Sequence, residues 1–565
     1  MAFILFGNGI GGGFVLDDYS SIEKNQDIRS LGSIPTLIFK PFYNQPESGL
    51  YRPFTLVSYA FNYLFGSNPA GFHVVNIIIH GLNIFLIFVL ARKLFSDERL
   101  AYLSSILFAV MPIHTEGVTY ISGRADVLIL FFSLLSLLFL DKEKYWTGAV
   151  FFLLGMLSKE SGLGLIAVAV WWLWIRQGKN IKEVFYKLAP YWGAVALYFI
   201  LRYIALKEYI FSVKVAFVYN PLASLALPAR VFTALKIMLL YIYKTFIPFH
   251  LSSDYSYNQI PVLNNFFNLY VILGLLIFAG LLLLIFGDRT KKTALGLGAA
   301  LLLAFYFIVS NFVLPIGTIM AERMFYASSA GIAVITATTI VYITRKKWVR
   351  YLSYPFLGLI CIIYVIITVN RNNDWLNNVT LFESAVAQSP NSVHAMALLS
   401  REYMKINRWD KANPLAIQAY SIYPEHLPTL SVVGALAAHE GRIGDAISYY
   451  KKAFEINPEY QTAEWNLARL LMFQKKYGEA AELFGDLYHK EPSLYRTKVY
   501  ALSLINSGKP KEAISFIGSE IKAESRDGDV LLILGKAYSG LGDKKTANYY
   551  FSLTDAKDIS IEFAE

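Results

Sequence analysis

The chain has one cysteine in 565 residues, Cys361, and it lies inside an apolar run. That removes a disulfide framework, a thiolate zinc site and a haem-attachment motif together. Charge is also scarce, at 16% of residues against 55% hydrophobic. A soluble protein of this size carries more charge than that. A nucleotide-cradling glycine loop is missing too. Gly7 to Gly13 contains Gly-x-Gly spacing, but it precedes a polar loop rather than joining a strand to a helix, and no Walker-type lysine follows. No cleavable signal peptide is visible. The formal net charge of +10 does not require nucleic acid. Lys and Arg gather in short loops between apolar runs, as they do on the cytoplasmic face of membrane proteins.

Long apolar runs are abundant from about residue 72 to about residue 370, which reads as a polytopic helical membrane domain. The expected spans are 72–95, 100–113, 125–140, 145–158, 161–176, 187–206, 266–286, 294–315, 324–344 and 351–369. With simple alternation the basic loops Arg92-Lys93, Arg176 to Lys187, Arg289 to Lys292 and Arg345 to Arg350 share one side, expected to be cytoplasmic. The adjacent carboxylates Asp17 and Asp18 then face the opposite compartment. Residues 229–250 break the parity and carry Arg230, Lys236 and Lys244, so they are expected to be re-entrant or to lie in the interface. Residues 2–16 are apolar but short of the roughly 20 residues a span needs. The first helix therefore reads as truncated. His73, Asn76, His80 and Asn83 follow a helical spacing and should face into the bundle.

From about residue 378 the apolar runs stop and a period appears. Pro390, Pro424, Pro458 and Pro492 are 34 residues apart. Small residues keep the beat at Ser400, Gly434, Ala468, Ala501 and Gly535, and again at Ala412, Ala446, Ala480, Ala513 and Ala547. Proline after the second helix and small residues where two helices touch are the signature of tetratricopeptide repeats. About five repeats are expected over 393–561. The domains read as a membrane unit over 1–370, a linker and lead-in helix over 371–392, and the repeats. The fold class is all-α, and the repeats fall on the same side as Asp17 and Asp18.

Asp17 and Asp18 admit a plain reading as a helix start, since Ser20 and Glu23 fit a capping box. Neighbours in sequence point in different directions, so one of the two at most is placed to act as a base. On the same side lie Arg52, Arg124, Lys159, Arg202 and Arg323, each open to an interfacial snorkelling reading. Arg124 is accompanied by Asp126, Lys159 by Glu160, and Arg323 by Glu322. Charge pairs in such short turns point to an ordered site. His114 and Glu116 do not have standard metal spacing, so they are expected to position a substrate rather than a metal. Asp254 reads as a loop residue.

As a set, GFVLDDYSSIEKNQDI at 13–28, LYRPFTL at 50–56, GFHVVNIIIH at 71–80, PIHTEGVTYISGRADVL at 112–128, LSKESG at 157–162, LSSDYS at 251–256 and AERMFYASSAG at 321–331 resemble one family. It is the transmembrane and tetratricopeptide repeat-containing family of O-mannosyltransferases, within the polytopic glycosyltransferases of GT-C fold. The likeness runs through almost the whole chain, membrane part first and repeats second. The resemblance implies a polyprenyl- or dolichyl-phosphate mannose donor, Ser/Thr hydroxyls of a protein as acceptors, and Asp17 or Asp18 as catalytic base. An alcohol needs its proton taken as it attacks, and a departing phosphate needs cations in a dry site. On that footing Arg124, Lys159, Arg202 and Arg323 are expected to hold the phosphate. Arg52, His114, Glu116, Asp126, Glu160 and Glu322 are expected to position sugar or acceptor. No cofactor and no divalent metal is expected, the lipid-phosphate sugar being a co-substrate. The expected partners are that lipid, an acceptor protein or glycoconjugate held by the repeats, and the bilayer, with no nucleic acid. A bacterial plasma membrane is favoured over an endoplasmic reticulum. A glycolipid or polysaccharide acceptor, or a non-catalytic scaffold, stays open.

Overall fold

The computed structural model describes residues 1–211, 215–521 and 527–554, and among them there is no strand. The chain divides into two compact units, Met1–Ala395 and Met396–Glu565.

In the first unit the helices begin where sequence supplies caps and stop where it supplies polar turns. A short α1 (Ala2–Phe6) is followed by the acidic loop and by α2 (Pro53–Tyr63), which has proline in its first turn. The Asn68 side chain accepts the Ala70 N–H at 2.9 Å and starts α3 (Pro69–Phe95). Asp97 does the same for α4 (Glu98–Val110). Then come α5 (Arg124–Asp141), α6 (Tyr145–Ser158), α7 (Leu165–Trp171), α8 (Ala189–Leu206), α9 (Leu227–Phe246), α10 (Leu269–Phe286), α11 (Ala294–Val309), α12 (Tyr326–Ile343) and α13 (Lys347–Asn372).

Five helices are long and apolar enough to cross a membrane: Pro69–Phe95, Ile121–Asp141, Leu269–Phe286, Glu322–Ile343 and Lys347–Trp375. A sixth arises if Ile181–Lys187 and Ala189–Phe211, bent by 56°, form one span. The unit is a multi-pass membrane bundle. The span expected at 145–158 is a helix with those same bounds, and the one at 161–176 is helical from Leu165 through Arg176. Those at 100–113 and 294–315 end early, as helices of 13 and 16 residues, and all four pack among the longer ones. α4 and α6 end where the chain turns to present charged residues at one end of the bundle.

The two ends differ in charge. At one, Arg176 donates to Leu94 O and Lys292 O, both at 2.9 Å, and Lys93 pairs with Asp141 at 2.6 Å. Three of the basic loops therefore meet. The other end holds Asp17, Arg52, Glu116, Lys159 and Arg323. α9 lies across this second end. Tyr306 of α11 donates to Ala234 O, Tyr241 to Ala321 O, and Tyr364 of α13 to Phe246 O. The segments before and after α9 also meet this end, at Asn220–Asn311 and Ser252–Glu322. α9 is one continuous helix rather than a re-entrant hairpin.

The amino-terminal residues are strapped to the end of α13. Asn372 Nδ2 donates to Leu5 O at 2.7 Å, Asn8 Nδ2 to Val369 O at 2.8 Å, and the Gly13 N–H to Leu376 O at 2.9 Å. Short as it is, the first segment is held firmly. Residues 371–392, expected to be a linker and lead-in helix, contain the helix Asn378–Gln388 and pack with the membrane unit. The Arg371 guanidinium donates to Asp374 and Ser384, the Ser392 hydroxyl to Asp254, and the Asn258 N–H to Asn391 O.

In the second unit helices pair at the expected period: Trp409–Ile422 following Val393–Lys405, then Leu427–His439 with Ile443–Ile456, Gln461–Phe473 with Tyr477–Lys490, Leu494–Asn506 with Pro510–Glu520, and Gly528–Gly540 with Lys544–Ser552. Ala412, Ala446, Ala480, Ala513 and Ala547 are all buried at the crossings. The Ser400 hydroxyl donates to Ala412 O at 2.8 Å, which shows how closely the backbones approach. Residues 555–561 of the expected array lie outside the described residues.

Candidate functional site

Asp17 and Asp18 divide as neighbouring residues must: Asp17 is exposed and Asp18 is fully buried. Asp18 accepts the Ser122 N–H at 2.9 Å, the Ser122 hydroxyl at 2.5 Å and the Val15 N–H at 3.2 Å. Burial pushes its carboxyl up to about 7, against the pull of those hydrogen bonds. Asp18 thus clamps the acidic loop to the 120–122 turn. Asp17 keeps an open carboxylate, with the Tyr43 hydroxyl against it.

Around Asp17 the short turns deliver cations, each already paired. Arg52, at the start of α2, makes a bidentate contact with Glu160 through Nε at 3.1 Å and Nη2 at 2.8 Å. Lys159 contacts both oxygens of Asp126, at 2.7 and 2.8 Å, and both residues are buried. Burial pulls the Lys159 amine down and Asp126 opposes it. Arg323 Nη1 pairs with Glu116 Oε1, and the Arg323 N–H donates to Glu116 Oε2 at 3.1 Å. The Arg323 side chain remains 23% exposed where that of Glu116 is 1% exposed, so the guanidinium turns an edge toward the open side.

Tyr120, which no pattern in the sequence singled out, joins the parts. Its hydroxyl accepts the Asp17 N–H at 3.2 Å, the Arg323 guanidinium lies 5.6 Å above its ring, and Trp375 stacks on it at 5.2 Å. Arg52, Asp126, Lys159 and Arg323 also act on one another electrostatically, as Asp17 does on Arg323. One site therefore holds Asp17, Arg52, Glu116, Asp126, Lys159, Glu160 and Arg323.

Other expected members fall elsewhere. Arg124 is fully buried, and its donors go to Asn76 Oδ1, Asn62 Oδ1, Ser58 O and Phe72 O at 2.7–3.2 Å, with the Tyr59 ring 4.8 Å away. It braces helices and presents no edge to a phosphate. Arg202 is spent on Gly49 O, Ile210 O and the Tyr198 hydroxyl. His114 is fully buried against Ser329 and does not reach the open side. Glu322 is buried beside the main site, where Oε1 accepts the Ser252 N–H at 2.7 Å and the Tyr255 hydroxyl. Asp254 caps its own turn through Ser256. His73, Asn76, His80 and Asn83 are all buried. Among the described residues no three His, Cys, Asp or Glu side chains gather as metal ligands.

The Lys159–Asp126 pair makes a stability prediction. Removing one member of a buried ion pair strands the other, at a cost of about 3–5 kcal/mol. Asp126→Asn should lower the thermal unfolding midpoint of the detergent-solubilised chain markedly. Asp126→Asn combined with Lys159→Met should recover part of the loss.

Residues 54–204 match the model of the dolichyl-phosphate-mannose-protein mannosyltransferases, and residues 437–502 match that of the tetratricopeptide repeat. Among curated proteins the chain is 25% identical to Protein O-mannosyl-transferase TMTC3 of Mus musculus, over 84% of this chain and 61% of that protein. It is 28% identical to Protein O-mannosyl-transferase F38B6.6 of Caenorhabditis elegans, over 67% and 56% respectively. To Protein O-mannosyl-transferase TMTC4 of Homo sapiens it is also 28% identical, over 69% and 61%. The fold and site define a multi-pass membrane protein with a carboxylate-and-cation site at one end of its bundle, followed in sequence by a tetratricopeptide array. The chain is similar to these transmembrane and tetratricopeptide repeat-containing proteins in the order of its parts, and it spans about three fifths of the length of the relatives it matches.

Proposed function

We propose that this chain moves a hexose, mannose, from a polyprenyl-phosphate donor to a hydroxyl group of a protein, in one displacement with inversion at the sugar. The observation that carries the reading is the pairing of an exposed Asp17 carboxylate with the part-exposed Arg323 fork, joined through Tyr120.

The acceptor oxygen attacks the anomeric carbon as Asp17 takes its proton, and the bond from that carbon to the phosphate oxygen breaks. The electron pair leaves with the polyprenyl phosphate. Phosphate is a good leaving group, so the site must hold charge rather than donate a proton. Arg323 and Arg52 hold the phosphate, since a guanidinium presents several donors in a fixed plane. Lys159 adds its charge from beneath. Glu116, Asp126 and Glu160 set the angles of those three cations, and Glu322 orients sugar or acceptor through the 252–255 loop. Arg124 and Arg202 act as braces. The proposed reaction draws on no resident cofactor.

The proposed site lies on the non-cytoplasmic face of a bacterial plasma membrane, a reading supported by the basic loops at the opposite end of the bundle and the positive-inside rule. The repeats serve as the acceptor platform. A secreted reporter protein co-expressed with the chain should gain one hexose by intact mass, and lose that gain with Asp17→Asn. Donor consumption with an unmodified reporter would move the acceptor to a glycolipid or polysaccharide. No consumption of any lipid-linked sugar would leave a scaffold.

A further inference from the structure

Beneath the Glu116–Arg323 pair lies a second group of polar side chains that the proposed reaction does not use. His114 Nε2 and Ser329 Oγ are 2.7 Å apart, as are His80 Nδ1 and the Tyr326 hydroxyl. Asn83 Nδ2 donates to the same hydroxyl at 3.1 Å and to Val127 O at 3.0 Å. The rings pack as well, His114 on Tyr326 at 4.8 Å and on Phe108 at 4.4 Å. The 115–118 turn rests on this assembly, since a side chain at Gly117 would meet the Tyr326 ring at 3.2 Å. His80, Asn83, His114, Tyr326 and Ser329 are all buried.

Polar groups deep in a membrane bundle are costly, and leucine or phenylalanine would fill the same space without that cost. Here Asn83 Oδ1 has no hydrogen-bond partner among the described residues, and the second nitrogens of His80 and His114 have only the backbone at Ala109 and Phe108 nearby. The network also has no exposed edge, so it cannot touch sugar, phosphate or acceptor. What it does is join α3, α5, α12 and the 112–118 turn. Two members of the proposed site sit at its margin: Glu116 is two residues beyond His114, and Arg323 is three residues before Tyr326. A hydrogen bond has a fixed length and direction where an apolar contact has neither. The His114–Ser329 bond therefore sets the depth of the 112–118 turn against α12, and with it the placement of Glu116 under Arg323.

We infer that His114 and Tyr326 are positioning residues, which fix the Arg323 guanidinium for a lipid phosphate through their bonds to Ser329 and His80. The inference rests on the reading of Arg323 as a phosphate-holding group.

The test is a double-mutant cycle on affinity for undecaprenyl phosphate, measured with the full purified chain in detergent. His114→Phe should weaken binding about tenfold, and Arg323→Gln at least as much. The double variant should bind no worse than Arg323→Gln alone. His114→Gln, whose amide can still reach Ser329, should recover most of the loss. Ser329→Ala repeats the measurement with a smaller change where the phenylalanine variant unfolds. A merely structural role would give the same fold-loss with and without Arg323. That result, an unchanged affinity in His114→Phe and Ser329→Ala, or no affinity in the unsubstituted chain, overturns the inference. Because sugar transfer is not the readout, a chain that binds the lipid phosphate and transfers nothing would end the proposed reaction while leaving the positioning role intact.

Discussion

Asp17→Asn should reduce sugar transfer by about 10²–10⁴-fold, the range a positioned general base supplies, while Asp18→Asn should lose far less. The difference follows from exposure. Asp17 is open and faces the cations, whereas Asp18 is enclosed by Ser122 and the Val15 N–H. Asp18 should instead show itself in stability. Burial raises its carboxyl to about 7, well above the usual carboxylate range, so the folded state favours the protonated form. Its contribution is complete below about pH 4 and is lost as pH rises through about 7. Subtracting the unfolding profile of Asp18→Asn from that of the unsubstituted chain should isolate that decline. Equal transfer by both single variants would remove Asp17 from the mechanism, and a flat difference profile would remove the buried-acid reading of Asp18.

Arg323→Gln should lower kcat/KM for the lipid-linked donor by about 10²–10³-fold, the loss found when one donor to a developing anion is removed in a water-poor site. Arg323→Lys should fall between, because it keeps the charge and a partner for Glu116 but loses the planar fork. Arg52→Gln should act in the same direction and less strongly, since Arg52 carries two bonds to Glu160 and its side chain is 15% exposed. Arg124→Gln separates the braces from the phosphate ligands. With all its donors on neighbouring helices it should lower the unfolding midpoint, and the surviving folded protein should retain the donor affinity of the unsubstituted chain. Loss of donor affinity in folded Arg124→Gln, or unchanged donor kinetics in Arg323→Gln, would reverse the two assignments.

What the sequence disclosed depended on whether the signal was local. The repeats were legible because their order is one-dimensional: small residues recur every 34 positions, with one interval of 33, and each is buried. The apolar runs were legible for the same reason, although run length overstated α4 and α11, which end at Val110 and Val309. The acidic pair could be seen, but its division of labour could not, because it depends on Ser122, 104 residues away from Asp18. Arg124 looked like the other basic turns, since a charge beside a span reads alike whether it faces inward or outward. Its partners Asn62, Phe72 and Asn76 come from other helices. Tyr120 gave no signal at all. In a chain with 38 tyrosines, one more is unremarked until its hydroxyl is found under Asp17.

The strap between the first residues and the end of α13 bears on how the site comes into being. Asn372 and Leu5, 367 positions apart, are hydrogen-bonded, so the loop with Asp17 is made long before the segment that fastens it. A ribosome-bound intermediate that has not yet released the segment around Leu376 cannot complete those bonds. Long-range closure of this kind is slow. Until the segment around Leu376 has been made, the Asp17 loop lacks the Leu5–Asn372 and Gly13–Leu376 bonds that hold its amino-terminal side.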